Sequence, residues 1–267
     1  MLLGLRHNRK LFPAIILMWW GTVFSSFAAT PVIVDAKPFA DGFVMASSDG
    51  MLYWTDIDGN TTDSVKLRTD IVGIEVCDGS VLTVSSDCTV MKVQRNGRTS
   101  RLCRSQIKNG ADRVVGIACI DRKILILTRS GTILSTDNDC EEFTALDFNG
   151  TYFLYYEHTM FSAICASDNS IFIAGVLDDG MPAVYTSSEG NIWSQRTLTY
   201  TESGQTLELE QEPLCLAYDG RMDRFVLGCT DGYVFYMPGC SHCNSIEHKS
   251  SDDIKALAFN TGYSFFK

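Results

Sequence analysis

The sequence predicts an all-β chain: a β-propeller of about five four-stranded blades plus a partial sixth. Three observations carry this prediction. A unit of apolar strand, turn, apolar strand, Ser/Thr-Asp-type turn and third strand recurs roughly every forty to fifty residues, the period of a propeller blade. It is plainest in Val44–Trp54, Leu82–Val90 and Val226–Phe235. The runs that open each unit alternate in polarity and are rich in β-branched and aromatic residues, as strands are. No segment shows the period of a helix of normal length.

The blades follow in order from their first strands. Val32–Ala36 opens the first, Val72–Val76 the second and Val114–Cys119 the third. Phe161–Ala166 opens the fourth and Leu214–Tyr218 the fifth, and Ile254–Phe259 would open a sixth. Second strands are expected at Gly42–Ser47, Val81–Ser85, Ile124–Thr128, Ile171–Val176 and Phe225–Cys229. The turns between them, such as Cys77-Asp-Gly79, Asp168-Asn169 and Asp219-Gly220, carry residues that tolerate positive φ. Thr199–Glu212 is polar and acidic, reads as a long loop between blades four and five, and is ended by Pro213. The sixth repeat is incomplete: Gly262–Lys267 supplies a second strand, and two outer strands are lacking. The aromatic residues Tyr263, Phe265 and Phe266 argue for a packed end.

Residues 1–29 are set apart from the domain at 30–267. Arg6, His7, Arg9 and Lys10 form a basic head, Leu11–Phe24 is almost wholly apolar, and Ser26 and Ala28 suit the −3 and −1 positions of a cleavage site. This is the layout of a secretory signal peptide, with an uncleaved signal anchor as the alternative. Either reading places the domain outside the cytoplasm, secreted or at the cell surface. The chain carries 22 basic and 32 acidic side chains. Setting aside the three basic ones of the leader leaves 19 against 32, a net charge of −13. Such an acidic domain lacks the clustered Lys and Arg that nucleic acid or an anionic membrane requires.

All ten cysteines lie in the domain. Cys77, Cys119, Cys165 and Cys215 fall at similar places in successive first strands, near the expected axis, and read as small buried hydrophobes with free thiols. Cys240-Ser-His-Cys243, with His248 downstream, is the sharpest chemical cluster. Its spacing suits a local disulfide or free thiols, and Cys240, Cys243 and His248 are also the candidate ligands should a metal bind. Asp56-Ile-Asp-Gly-Asn60 with Asp63 resembles the start of a calcium loop, but Leu67 stands where the last carboxylate ligand would be, so a hairpin turn is expected. Asn60-Thr-Thr62 and Asn149-Gly-Thr151 fit the glycosylation acceptor pattern.

Thr186-Ser-Ser-Glu-Gly-Asn-Ile-Trp193 resembles the Asp-box (BNR repeat) of sialidase-like β-propellers, with Thr186, Gly190 and Trp193 matching and Ser188 in the place of the Asp. Partial copies occur at Ser135–Asp139 and Thr55–Thr61. The resemblance implies a propeller scaffold in which the box locks the turn between a blade's third and fourth strands. A sialidase would further need three converging arginines, a Tyr nucleophile backed by Glu, and an acid/base carboxylate. Arg68, Arg113, Arg129 and Arg196 are the arginines available, and Tyr152, Tyr155 and Tyr156 beside Glu157 the tyrosines. Solvated arginines and packed tyrosines are the expectation. The function read from the sequence is therefore a non-enzymatic binding or assembly module for a protein or glycan, without cofactor and with no assigned catalytic residue. The alternative is a degenerate sialidase-like glycoside hydrolase, recognisable by those side chains meeting in one central pocket.

Overall fold

The computed structural model describes residues 32–105, 112–137, 142–152, 154–238 and 244–260. They form five antiparallel four-stranded sheets, each running in chain order from its first strand to its fourth. Blade one holds β1 (Ile33–Phe39), β2 (Gly42–Ser47), β3 (Met51–Thr55) and β4 (Thr61–Lys66). Blade two holds β5 (Gly73–Cys77), β6 (Ser80–Val84), β7 (Thr89–Val93) and β8 (Thr99–Arg104). Blade three holds β9 (Val114–Ile120), β10 (Lys123–Thr128), β11 (Thr132–Asp137) and β12 (Thr144–Asp147), and the five-residue helix α1 (Phe148–Tyr152) follows it. Blade four holds β13 (Thr159–Ala166), β14 (Ile171–Leu177), β15 (Pro182–Ser187) and the two-residue β16 (Ser194–Gln195). A separate hairpin, β17 (Thr199–Glu202) and β18 (Gln205–Glu208), leads into blade five: β19 (Pro213–Asp219), β20 (Arg224–Cys229), β21 (Tyr233–Pro238) and β22 (Ser245–His248).

First strands pack on one another, β1 on β5, β5 on β9, β9 on β13 and β13 on β19, and so line the axis. Second strands are sandwiched between neighbouring blades, which is why they read as continuous apolar runs rather than alternating ones. Every residue of β2 and β6 is buried. Fourth strands face outward and are polar: Thr61–Lys66 in β4 is almost wholly exposed.

The apolar core is divided among the seams between blades. Leu52 and Trp54 of blade one meet Ile74 and Val81 of blade two. Leu82 and Val90 meet Ile124 and Ile126 between blades two and three, and Leu125 and Leu127 meet Ile171 and Ile173 between three and four. Between four and five, Phe172 stacks on Phe225 with ring centroids 3.7 Å apart. Inner strands approach closely where β5 meets β9: a Cβ on Gly73 would stand 3.1 Å from the Gly116 Cα.

Turns between second and third strands are locked by their own side chains. The Ser47 hydroxyl donates to Asp49 and the Ser85 hydroxyl to Asp87, both at 2.5 Å, and the carboxylates accept backbone N–H groups of the turn. In blade three the equivalent carboxylate comes from outside the turn, Asp112, which accepts from the Ser130 hydroxyl and N–H.

Two sequence expectations are corrected. Thr199–Glu212 is not simply a loop: Ser203 and Gly204, with φ of 51° and 79°, make a tight hairpin turn, and of the paired, half-buried Tyr200 and Leu207 the tyrosine packs on the core, edge-on to Phe235. The other concerns the sixth repeat. Residues 254–260 form no strand, so the structure described has five blades and no sixth. They are nonetheless buried, because Ile254, Leu257 and Phe259 pack on Ala217, Val226, Val234 and Tyr236 of blade five. The Asn260 amide then reaches blade one, donating to the Ala40 and Gly42 carbonyls at 3.4 and 3.0 Å. The segment fills the seam between the last blade and the first. Gly262–Lys267 and the leader 1–29 lie outside the described residues.

Candidate functional site

Two surfaces have the build of a site. The first is the axial cavity of about 320 Å³ at the face bearing the turns from first to second strands. Lys37, Glu75, Cys165, Asp168, Tyr218 and Phe259 are among its lining residues. Lys37 lies 3.6 Å from Glu75, with side chains only 9 and 14 % exposed. Asp35, on the same strand as Lys37, accepts the N–H groups of Ala36 and Ile74, so its carboxylate fastens β1 to β5. Burial raises the affinity of both Asp35 and Glu75 for a proton, against the pull of Lys37. Burial works against the Lys37 ammonium too, but Glu75 and Asp35 outweigh it and hold the lysine charged. The three groups answer one another, and Lys37 and Glu75 carry this ion-paired cluster to the lining of the cavity.

The second surface lies on the rim where blade three meets blade four. Phe148 is fully buried and sits within 4.8–6.2 Å (centroid to centroid) of Tyr152, Tyr156, Phe161, Tyr185 and Trp193. The loop that follows is pinned from several sides. The Tyr152 hydroxyl donates to the Asn191 carbonyl and the Tyr156 hydroxyl to the Trp193 carbonyl. Asn149 donates to the Ser130 and Thr159 carbonyls and accepts the Thr159 N–H. On this braced base Leu154, Tyr155 and Ile192 project outward, about three-quarters exposed. Beside them is an open depression of about 850 Å³ lined by Asp147, Asn149, Tyr156, Glu157 and His158 among others.

The residues singled out from the sequence fall as follows. Tyr152 and Tyr156 pack, as expected, whereas Tyr155 is exposed. Among the described residues no arginine lines the axial cavity. Arg68, Arg113 and Arg129 are exposed, and Arg196 lies at the edge between blades four and five, donating to the Pro238 carbonyl. The arginine and tyrosine set of a sialidase is thus not assembled at the axis. The 186–193 turn does join the third and fourth strands of its blade. Ser187 accepts the Glu189 and Gly190 N–H groups, and the Trp193 indole donates to the Gly190 carbonyl.

Asp56 accepts from the N–H groups of Asp58 and Asn60 and from the Asn60 amide, so its carboxylate is engaged within a hairpin turn, as expected. The Asn149 amide is committed to two carbonyls and is poorly placed as a glycan acceptor. Cys240 and Cys243 lie outside the described residues, and His248 sits edge-on to Tyr233, ring centroids 5.0 Å apart. Cys77, Cys119, Cys165 and Cys215 are thiols on the inner strands. The sequence reading passed over the Asp35–Lys37–Glu75 cluster. Its signal was a charge inside otherwise apolar first strands, Glu75 in Val-Gly-Ile-Glu-Val above all.

No protein-family profile and no curated protein matches the sequence. Solved structures do resemble the fold. The Cps50 (Swd1) β-propeller domain of Myceliophteria thermophila aligns with a TM-score of 0.57 at 9 % identity, over 85 % of this chain and 75 % of that one. U3-55K aligns at 0.54 and 11 % identity, over 78 % of this chain and 62 % of its own. The Pan2 WD40 domain of Neurospora crassa aligns at 0.51 and 10 % identity, over 85 % and 65 %. At such identities the likeness establishes a β-propeller and nothing more specific.

Proposed function

We propose that this chain is an exported, non-enzymatic propeller that docks a partner protein on the rim between blades three and four. The observation that carries the reading is Leu154, Tyr155 and Ile192, large apolar side chains held outward by an aromatic base that cannot fold them inward. Exposed apolar groups on a rigid support bind without a large ordering cost and are typical anchors of protein interfaces. Two of the three are aliphatic, which suits apolar protein side chains better than sugar rings. Export is supported by the leader at 1–29, and the Asp-box-like turn at 186–193 serves in this reading as a lock that positions Ile192.

A photo-cross-linking amino acid at position 155, with one at Arg98 on blade two as the control, tests this in extracts of the source cells. A partner captured from 155 and not from 98 is expected. Its affinity for the purified Leu154→Ser/Tyr155→Ala variant should fall at least about tenfold with an unchanged melting temperature. Equal capture from both positions, or an unchanged affinity, would overturn the assignment.

A further inference from the structure

The axial cavity of about 320 Å³ is walled by chain from four blades and by the 254–260 segment, and its lining is divided by chemistry. Leu257, Phe259 and the ring of Tyr218, whose hydroxyl is committed to Asp223, make an apolar wall. Lys37 and Glu75 bring a pair of opposite charges to the same space. The Lys37 ammonium stands 3.6 Å from Glu75 Oε2, beyond the roughly 2.7–3.2 Å of a formed N–H···O bond. Glu75 Oε1 accepts the Val76 N–H, and the two oxygens of Asp35 accept the Ala36 and Ile74 N–H groups. Among the described residues no other acceptor lies within hydrogen-bond distance of the ammonium, whose side chain is only 9 % exposed. Its N–H donors and Glu75 Oε2 therefore have bonding capacity left for a guest, and a buried ammonium that lacks acceptors is costly.

We propose that this cavity binds a free α-amino acid with an apolar side chain. Charge decides the class. A guest bearing only an anion would meet Lys37 but add to the carboxylates of Asp35, Glu75 and Asp168. A guest bearing only a cation would meet Glu75 but stand beside the Lys37 ammonium and leave its donors unused. A zwitterion answers both. Its ammonium and carboxylate are joined through a single carbon, a spacing comparable to that of the Lys37–Glu75 pair, so the two pairs lie antiparallel. The guest carboxylate accepts from Lys37, and the guest ammonium donates to Glu75 Oε2. Each of the four charges then neighbours two of opposite sign, and both new contacts are charge-assisted, the stronger class of hydrogen bond. A neutral pair of hydroxyls makes the same two contacts without that compensation. The guest's side chain rests on Leu257 and Phe259. The volume lies at the low end of small-molecule pockets, roughly 300–1,000 Å³, and suits a guest of this size. Asp168 lies in the exposed turn after β13, so the guest has a way in from that face.

Isothermal titration calorimetry of the purified protein with leucine and with phenylalanine tests the proposal. N-acetyl-leucine, leucinamide and glucose are the matched probes: anion only, cation only and uncharged. Saturable one-to-one binding of the zwitterions is expected, weakened at least about thirtyfold for both blocked analogues. Glu75→Gln should abolish the preference for leucine over N-acetyl-leucine and leave leucine favoured over leucinamide, a change of selectivity that lost packing would not produce. Ala258→Leu fills the cavity without touching the ion pair and should abolish leucine binding at an unchanged melting temperature, which keeps the test open if Glu75→Gln does not fold. No binding of either zwitterion, equal affinity for a blocked analogue, tighter binding of glucose, or leucine binding that survives Ala258→Leu would overturn it.

Discussion

Lys37→Met should lower the stability of the domain by about 3–5 kcal/mol at pH 7, the cost of leaving buried carboxylates without their cation. The sign of the pH dependence is the sharper test. Asp35 and Glu75 are already raised by burial, and Lys37 is what restrains the rise. For a carboxylate raised in the folded state, the stabilising contribution is full below the unfolded value, near pH 4, and is lost as pH rises through the folded value. Without Lys37 both folded values move higher, so the penalty at pH 7 grows and acid relieves it. Urea denaturation of Lys37→Met at pH 7 and pH 5 should show the gap to wild type narrowing by about 1 kcal/mol or more at the lower pH. In the wild type the lysine works the other way: its raised value contributes stability below its unfolded pKa of about 10.4, lost as pH climbs further. A variant within 1 kcal/mol of wild type at both pH values would mean that water, not Lys37, compensates the two carboxylates.

Removal of residues 254–267 should be comparably severe. Ile254, Leu257 and Phe259 are each 5–7 % exposed, and burying three such side chains contributes roughly 5–8 kcal/mol by area, an upper estimate. Domains of this size have only about 5–15 kcal/mol in hand. If the truncated protein does not accumulate, Phe259→Ala keeps the experiment quantitative, with an expected loss of about 3–5 kcal/mol measured by denaturant unfolding. A truncated domain that melts with the wild type would show that the segment lies loosely on blade five.

Both predictions rest on features the sequence showed unevenly. The first and second strands could be placed within a few residues because second strands, buried on both faces, are written as unbroken runs such as Phe-Val-Met-Ala in β2 and Ile-Leu-Ile-Leu in β10. Ile254–Phe259 alternates as a first strand does, because Ile254, Leu257 and Phe259 pack on Ala217, Val226, Val234 and Tyr236 of blade five. Periodicity reports burial, and it cannot report whether a neighbour offers backbone N–H and C=O groups for pairing. The hairpin at 199–208 was obscured by its acidic composition, although Ser203-Gly204 is a turn signal. Tyr155 could not be separated from Tyr152 and Tyr156, because only the fold decides which of three nearby tyrosines points away from Phe148. The axial ion pair joins residues 38 positions apart, and no local pattern links them.

The seam at residues 254–260 gives this ring the mechanics of a split washer. Four seams are closed by blade against blade, the fifth by a strip of chain attached to one lip through side chains and to the other through the Asn260 amide. Strain imposed anywhere on such a body concentrates at the cut. Blade one would therefore swing first, hinged on its contact with blade two, while blades two to four move as one stiff arc. Amide exchange would register this as early opening in β1 beside the gap and late opening in β10 and β14.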